Sequence, residues 1–289
     1  MLTKYIINMM KKNNYCDELV FCFDFDGTLI KGNMQEPKFI KQLGLTPVQF
    51  WSLVDKQTKE HSADSVLSYM KCMLDEAKSR KIAFKREDFV ACGNDITFFD
   101  GVTDWFERIN QYAAKKGIKV SYYIISSGLQ EMIEGTSIAK YFKKVYASSF
   151  MYNEYGQAVW PARIVNYTDK TQYLFRINKG CLDPMDVLGV NKVMPNEERP
   201  IPFSNMVYFG DGDTDVPCMS MIKNFGGYCF AVYPPNKKGA KDRAMRFYND
   251  GRVNFVAPAD YSAGKKIDKC VKSIIDKFAA EKKLNALFG

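Results

Sequence analysis

Two aspartates one residue apart, Asp24 and Asp26, close the apolar run Phe21-Cys22-Phe23 and lead into Gly27-Thr28-Leu29. Carboxylates this close repel, and one takes up a proton unless a cation neutralises the pair, so the spacing implies a bound metal ion. Taken alone, D-x-D-G fits equally well a turn that one Asp caps and Gly27 permits. Three later stretches tip that balance. Tyr122-Tyr123-Ile124-Ile125-Ser126-Ser127-Gly128 is a second apolar run ending on hydroxyls, Lys170 opens a helical pattern, and Met206-Val207-Tyr208-Phe209-Gly210-Asp211-Gly212-Asp213-Thr214-Asp215 is a third apolar run ending on acids and glycines. Acids, hydroxyls and one lysine gathered from strand ends suit a charged, metal-assisted reaction.

These residues need a sheet to carry them. Leu19 to Phe23 is short, apolar and bounded by polar residues, as in a strand buried on both faces of a parallel sheet. Asp24 then stands at the carboxyl edge, where ligands bind in open α/β sheets, with Asp26 on the exiting loop. Val102, Trp105, Phe106, Ile109, Tyr112 and Ala113 form one helix face ending at Lys115-Lys116-Gly117, and the strand Ile118 to Ile125 follows directly. Val145 to Met151 and Ala158 to Val165 read as a hairpin that delivers the chain to Lys170. The runs Gly227 to Tyr233 and Val253 to Ala257 and a last helix complete a sheet of five or six strands.

Between Leu29 and Phe99 the pattern is helical. Thr46-Pro47 reads as an N-cap with Pro at N1. Ser62 or Asp64 starts a helix whose apolar face is Val66, Leu67, Met70, Met73, Leu74 and Ala77, with the methionines as core filler. His61, the single histidine, reads as an exposed cap. Residues 3 to 12 read as a short amphipathic helix with a packing role, and the proline-containing stretch from Lys179 to Ser204 as a surface excursion.

The whole chain, 289 residues with a net charge of +8, has room for one core domain and a smaller module. From Pro234 to Gly289 it holds 13 Lys+Arg against 6 Asp+Glu, largely on the solvent side of the last helix. The charge therefore reads as a solvated helix face and not as a nucleic-acid surface. Eight cysteines without a C-x-x-C pair read as reduced thiols, which points to the cytoplasm. No stretch approaches the length of a membrane span, and the interrupted amino terminus lacks a secretion signal.

With D-F-D-G-T-L and G-D-G-D-T-D in view, the chain resembles the haloacid dehalogenase superfamily, and within it the phosphoserine phosphatase branch with a helical cap after the first motif. The resemblance spans residues 18 to 32 and 98 to 260. It implies a Rossmann-like, doubly wound, mostly parallel α/β core (1–31 and 99–289) and an inserted helical cap (32–98), rejoined at Asp100-Gly101-Val102. It also implies a Mg²⁺-dependent phosphatase acting on a small phosphorylated metabolite through an aspartyl-phosphate. On that resemblance Asp24 is the nucleophile, and Asp26 the general acid and then base. Ser126 and the Ser127 amide hold phosphoryl oxygens, and Lys170 supplies positive charge, with Lys179 as a fallback. Asp24, Asp211 and the main-chain carbonyl of Asp26 hold the metal, and Asp215 supports its water shell.

A dehalogenating member needs no acid at Asp26, which favours the phosphatase reading. Two rivals stay open, a phosphotransferase using another acceptor and a catalytically silent binding module. The family's Glu nine residues after the nucleophile is Asn33 here, with Glu36 three further on, and the Asn before the last Asp is Thr214. Both departures point away from phosphoserine itself. Lys56, Lys59 and Lys71 would let the cap meet an additional anionic group, although exposed lysines are the ordinary explanation.

Overall fold

The computed structural model describes residues 16–287; the amphipathic helix expected at 3 to 12 lies outside them. Seven strands form one sheet: β1 (Glu18–Phe23), β2 (Lys119–Leu129), β3 (Phe142–Tyr152), β4 (Ala158–Arg163), β5 (Met206–Gly210), β6 (Tyr228–Tyr233) and β7 (Phe255–Pro258). Their order is β4-β3-β2-β1-β5-β6-β7, and every neighbouring pair is parallel except β3 and β4. This is the doubly wound, mostly parallel sheet expected, with one or two strands more. The extra strands come from the hairpin: β3 joins β2 in parallel, and β4 adds an antiparallel edge. Pro161 sits in that edge strand, where a missing N–H costs the ladder little.

The sheet winds outward from its centre in two directions, through β2 and β3 on one side and through β5, β6 and β7 on the other. The order reverses between β1 and β5, and such a reversal opens a crevice at the carboxyl ends of the two strands. β1 is buried on both faces, which is why its sequence is continuously apolar. Phe21 and Phe23 point into one apolar cluster and Val20 and Cys22 into the other. Trp105, on α5 (Val102–Lys115), packs edge-on against Phe21 and Phe23 at 5.8 and 5.6 Å and meets Phe106, Tyr122, Phe209 and Tyr261. The two strands that end in the crevice thus share one aromatic anchor.

Four helices number α1 to α4 between β1 and α5: α1 (Phe39–Gln42), α2 (Pro47–His61), α3 (Ser65–Ser79) and α4 (Arg86–Cys92). Their starts follow local chemistry. Thr46 caps α2 in a reciprocal box with Gln49, and Asp64 caps α3 by accepting from the amides of Val66 and Leu67. His61 ends α2, exposed. Phe50, Val54, Met70 and Met73 belong to the same apolar cluster as the sheet face. Phe84 and Phe89 stack at 5.6 Å, Phe89 stacks on Phe150 of β3 at 5.3 Å, and Ala158 of β4 donates its amide to the carbonyl of Phe84.

The remaining helices are α6 (Gln130–Glu134), α7 (Asp169–Lys179), α8 (Val187–Asn191), α9 (Val216–Asn224), α10 (Ala240–Asn249) and α11 (Lys266–Ala286). The proline-containing excursion holds α8 and is clamped from beneath. Buried Arg176 donates to the carbonyls of Asp183, Pro184 and Asp186, and Lys179 to those of Val190 and Lys192. The basic face of α11 is partly answered by acids, with Lys272 on Asp268, Lys277 on Glu281 and Lys282 on Asp17. Among the described residues no helix is long and apolar enough to cross a membrane.

The aromatic anchor generates a prediction. Trp105→Ala is expected to lower the unfolding free energy by about 3–5 kcal/mol, read from urea denaturation. Trp105→Phe should cost much less, because the buried indole N–H finds no hydrogen-bond partner among the described residues. Equal losses in the two variants would contradict this account of the packing.

Candidate active site

Asp24 follows β1 and donates its amide to the carbonyl of Phe209 in β5 at 2.8 Å, so it is stitched across the crevice at the reversal of strand order. Lys170, in the first turn of α7, reaches it from the other face of the sheet. Its Nζ lies 2.9 Å from Asp24 Oδ1 and 2.7 Å from Asp215 Oδ1, and the Lys170 and Asp215 side chains are 0% exposed. Asp215 also accepts from the Tyr208 hydroxyl at 2.8 Å and the Gly212 amide at 3.2 Å. Burial disfavours the ammonium, but the two carboxylates outweigh it and hold the Lys170 pKa above its ordinary value.

The carboxylates respond in the opposite sense. Burial, with the charge of Asp215 adding to it, pushes Asp24 up to about 7 against the pull of Lys170. Burial and then the charges of Asp24 and Asp215 push Asp211 up to about 8, with Arg243 pulling it down. Asp24, Asp211 and Asp215 each offer an oxygen within 4.8 Å of the other two. Hard oxygen donors this close, held unwillingly by their own repulsion, fit a hard divalent cation. Gly27 makes the approach feasible: its φ is +70°, and a Cβ there would lie 2.4 Å from Asp211 Oδ2.

Asp26 faces another way. Its Oδ1 accepts the Met34 amide at 3.0 Å, and its carboxylate is not in the three-residue cluster. Burial first, and then the charge of Asp24, push its pKa well above that of an ordinary carboxyl.

The hydroxyls come from β2, which runs on to Leu129 and does not stop at Ile125. The reason is a register shift: Ser126 pairs with Ala147 and Leu129 with Ser148, so Ser127 and Gly128 bulge out of the ladder. Ser126 Oγ accepts the Gly128 amide at 3.0 Å, and the Ser127 carbonyl accepts from Tyr69 and Ser148. A cavity of about 780 Å³ is bordered by Asp24, Asp26, Ser126, Ser127, Asp211 and, from the helical segment, Trp51, Asp55 and Tyr69.

The structure therefore brings Asp24, Lys170, Asp211 and Asp215 together, with Asp26, Ser126 and Ser127 on the same cavity. Lys179 is elsewhere, on surface carbonyls. Lys56, Lys59 and Lys71 do not border the cavity; Lys56 pairs with Glu60 and Lys71 with Asp75 along their own helices, the geometry that i,i+4 spacing favours. Asn33 does not stand free either: its amide donates to Glu36 at 2.7 Å, and Glu36 also accepts from Trp51 at 2.9 Å. Sequence reasoning missed Tyr208, Tyr69, Ser148 and Arg243. Tyr208 reads as one more apolar strand residue, and nothing in the spacing separates Tyr69 from the core face of α3.

The family model of haloacid dehalogenase-like hydrolases matches residues 21–220. A Borreliella burgdorferi protein described only as uncharacterized is 30% identical, covering 86% of this chain and 93% of that one. Among solved structures, an apo phosphoserine phosphatase superposes with a TM-score of 0.53 at 13% identity, covering 83% of this chain and 92% of that one. A probable phosphoserine phosphatase from Vibrio cholerae gives 0.54 at 10% identity, over 92% and 67%. A hydrolase of the same family from Salmonella enterica serovar Typhi gives 0.52 at 17% identity, over 83% and 73%. At these identities the likeness is one of fold.

The buried charges generate the prediction of this section. Lys170→Met leaves Asp24 and Asp215 without their shared cation, and unfolding free energy is expected to fall by about 3–5 kcal/mol, the usual result of removing one partner from a buried pair. Chemical denaturation measures it. A loss below about 1 kcal/mol, the level of an exposed ion pair, would show that the ammonium is not what neutralises these acids.

Proposed function

We propose that this chain, which belongs to the haloacid dehalogenase-like hydrolase family, is a Mg²⁺-dependent phosphatase that hydrolyses a small phosphate monoester through an aspartyl-phosphate on Asp24. The observation that carries the reading is two carboxyls on one cavity in different surroundings. Asp24 accepts from Lys170 at 2.9 Å, while Asp26, half-buried and without a cationic partner among the described residues, has its pKa pushed well above that of an ordinary carboxyl.

In the first step an oxygen of Asp24 bonds to phosphorus as the ester P–O bond breaks, and Asp26 gives its proton to the departing oxygen. In the second, a water attacks the phosphorus, Asp26 takes the water's proton, and the bond to Asp24 breaks. Lys170 steadies Asp24, and Ser126 with the Ser127 amide receives phosphoryl oxygens. Asp24, Asp211 and the main-chain carbonyl of Asp26 would hold Mg²⁺, which offsets the negative charge of the phosphoryl group. Asp215, already accepting from Lys170, Tyr208 and Gly212, suits an outer role at the metal's water shell.

Residues 32–98 are proposed to choose the substrate. The cavity wall they supply has Trp51, Asp55, Glu36 and Asn33 and no lysine or arginine; Lys31, whose ammonium lies 3.3 Å from Asp100, Lys237 and Arg243 border the cavity from outside this segment. Such a wall rejects a second anionic group and accepts a leaving group that donates hydrogen bonds or carries an ammonium.

Three outcomes test the reading. EDTA should abolish hydrolysis of p-nitrophenyl phosphate, Mg²⁺ should restore it, and Ca²⁺ should not, since its looser coordination lets a carboxylate bind through both oxygens; full activity in EDTA would remove the metal from the scheme. Asp26→Asn should lose about 10²–10⁴ in rate and accumulate protein heavier by one phosphoryl group on the peptide containing Asp24. Label on Ser126, or near-normal turnover, would refute the mechanism. Among esters of similar size, those with a second carboxylate or phosphate should show the lowest kcat/KM, and Glu36→Gln should narrow that gap.

A further inference from the structure

One peptide group separates the helical segment from the phosphate end of the cavity. The Tyr69 hydroxyl, on α3, donates to the Ser127 carbonyl at 2.7 Å. Across the same amide, the Gly128 N–H donates to Ser126 Oγ at 3.0 Å. The second lone pair of that carbonyl takes the Ser148 hydroxyl at 3.1 Å, and Ser148 in turn accepts the Val165 amide at 3.1 Å. Ser126 Oγ is thus an acceptor from its own loop, which leaves its proton to be donated outward, and Ser126 borders the cavity. Hydrogen bonds arranged head to tail through a polarisable amide strengthen one another.

α3 is tied a second time, at its start. Asp64 caps the helix with Oδ1 and accepts the Asn166 side-chain amide with Oδ2 at 2.8 Å. Asn166 begins the turn that ends at Lys170, and that turn holds Tyr167 at φ +38°. The same helix therefore touches both loops that face the phosphoryl group, the one with Ser126 and the one with Lys170. Tyr69 is nearly fully buried, and burial raises the pKa of its phenol, which keeps it a donor.

We propose that Tyr69 is a positioning residue: through the Ser127–Gly128 peptide it fixes the aim and donor strength of the Ser126 hydroxyl, so that seating α3 completes the phosphate-binding loop. The proposal rests on the reading of Ser126 as a donor to phosphoryl oxygens.

A double-mutant cycle decides it. Tyr69→Phe removes only the hydroxyl and keeps the ring beside Trp51. It is made in the full chain and in Ser126→Ala, and both kcat/KM for p-nitrophenyl phosphate and Kd for orthophosphate are measured with Mg²⁺ present. In the parent chain the expected loss is about three- to tenfold in both readouts, the range of one net hydrogen bond. In Ser126→Ala the same change should cost less than about 1.5-fold, because the residue through which Tyr69 acts is gone. Equal losses in the two backgrounds, as from a purely structural contact, would overturn the proposal, and so would no loss in the parent. If the parent hydrolyses no phosphate ester the phosphatase reading fails, while the orthophosphate cycle still decides the role of Tyr69.

Discussion

The ammonium of Lys170, held between Asp24 and Asp215 at 2.9 and 2.7 Å and fully buried, is the contact on which the site depends. With Asp211 beside them, three carboxylates face one ammonium, which leaves two negative charges in a space of low dielectric. The protein alone relieves this poorly. Arg243 lies 3.5 Å from Asp211 but is more than a third exposed, where solvent screens it. The raised pKa values of Asp24 and Asp211 express the remaining deficit, and a divalent cation has the charge that cancels it. Asp26 shares in this repulsion, and its pKa too is pushed up, by burial and then by the charge of Asp24.

The sheet makes this concentration of charge tolerable by doing the rest of its work with apolar contacts. Phe23 stacks on Phe209 at 4.7 Å and Phe209 on Phe230 at 4.5 Å, so β1, β5 and β6 are locked in register by aromatic faces immediately below the acids. Trp105 closes that stack from α5. Because the order of strands reverses between β1 and β5, the loops after them diverge, and the crevice between them receives Lys170 from one side and the cavity from the other. Gly27 at φ +70° is the local condition for the loop to turn back against Asp211.

What the sequence made legible follows the same division. Strand ends and helix starts were readable where a local rule sufficed: Asp24 after an apolar run, Thr46 and Asp64 as caps, Lys170 at the start of a helix. The hairpin of β3 and β4 was readable too, but its place in the main sheet was not, because β3 pairs with β2 through a register shift that only tertiary contact defines. The ligand surroundings were also hidden. Tyr208 and Tyr69 look like core aromatics, and only their hydroxyl partners, Asp215 at 7 residues and Ser127 at 58 residues along the chain, distinguish them from Phe. Lys56 and Lys71 follow the ordinary reading of exposed lysines, each with an i,i+4 partner on its own helix.

The contacts that join residues 32–98 to the sheet divide by kind, and the division bears on how the cavity admits a ligand. At one end Phe84, Phe89 and Phe150 stack, and Ala158 pairs with Phe84 along the edge strand. Parting them exposes large apolar surface, at about 25 cal/mol for each Å². At the other end α3 meets the loops of Ser127 and Asn166 through one hydrogen bond each, from Tyr69 and to Asp64. Each is worth about 1 kcal/mol net, since water replaces the partner when it is lost. The two polar ties are thus the cheaper of these contacts to part, although Met70 and Met73 of α3 also lie in the apolar cluster of the sheet face. Those ties belong to the loops carrying Ser126 and Lys170, so the same hydrogen bonds that seat α3 also hold the loops that border the acids.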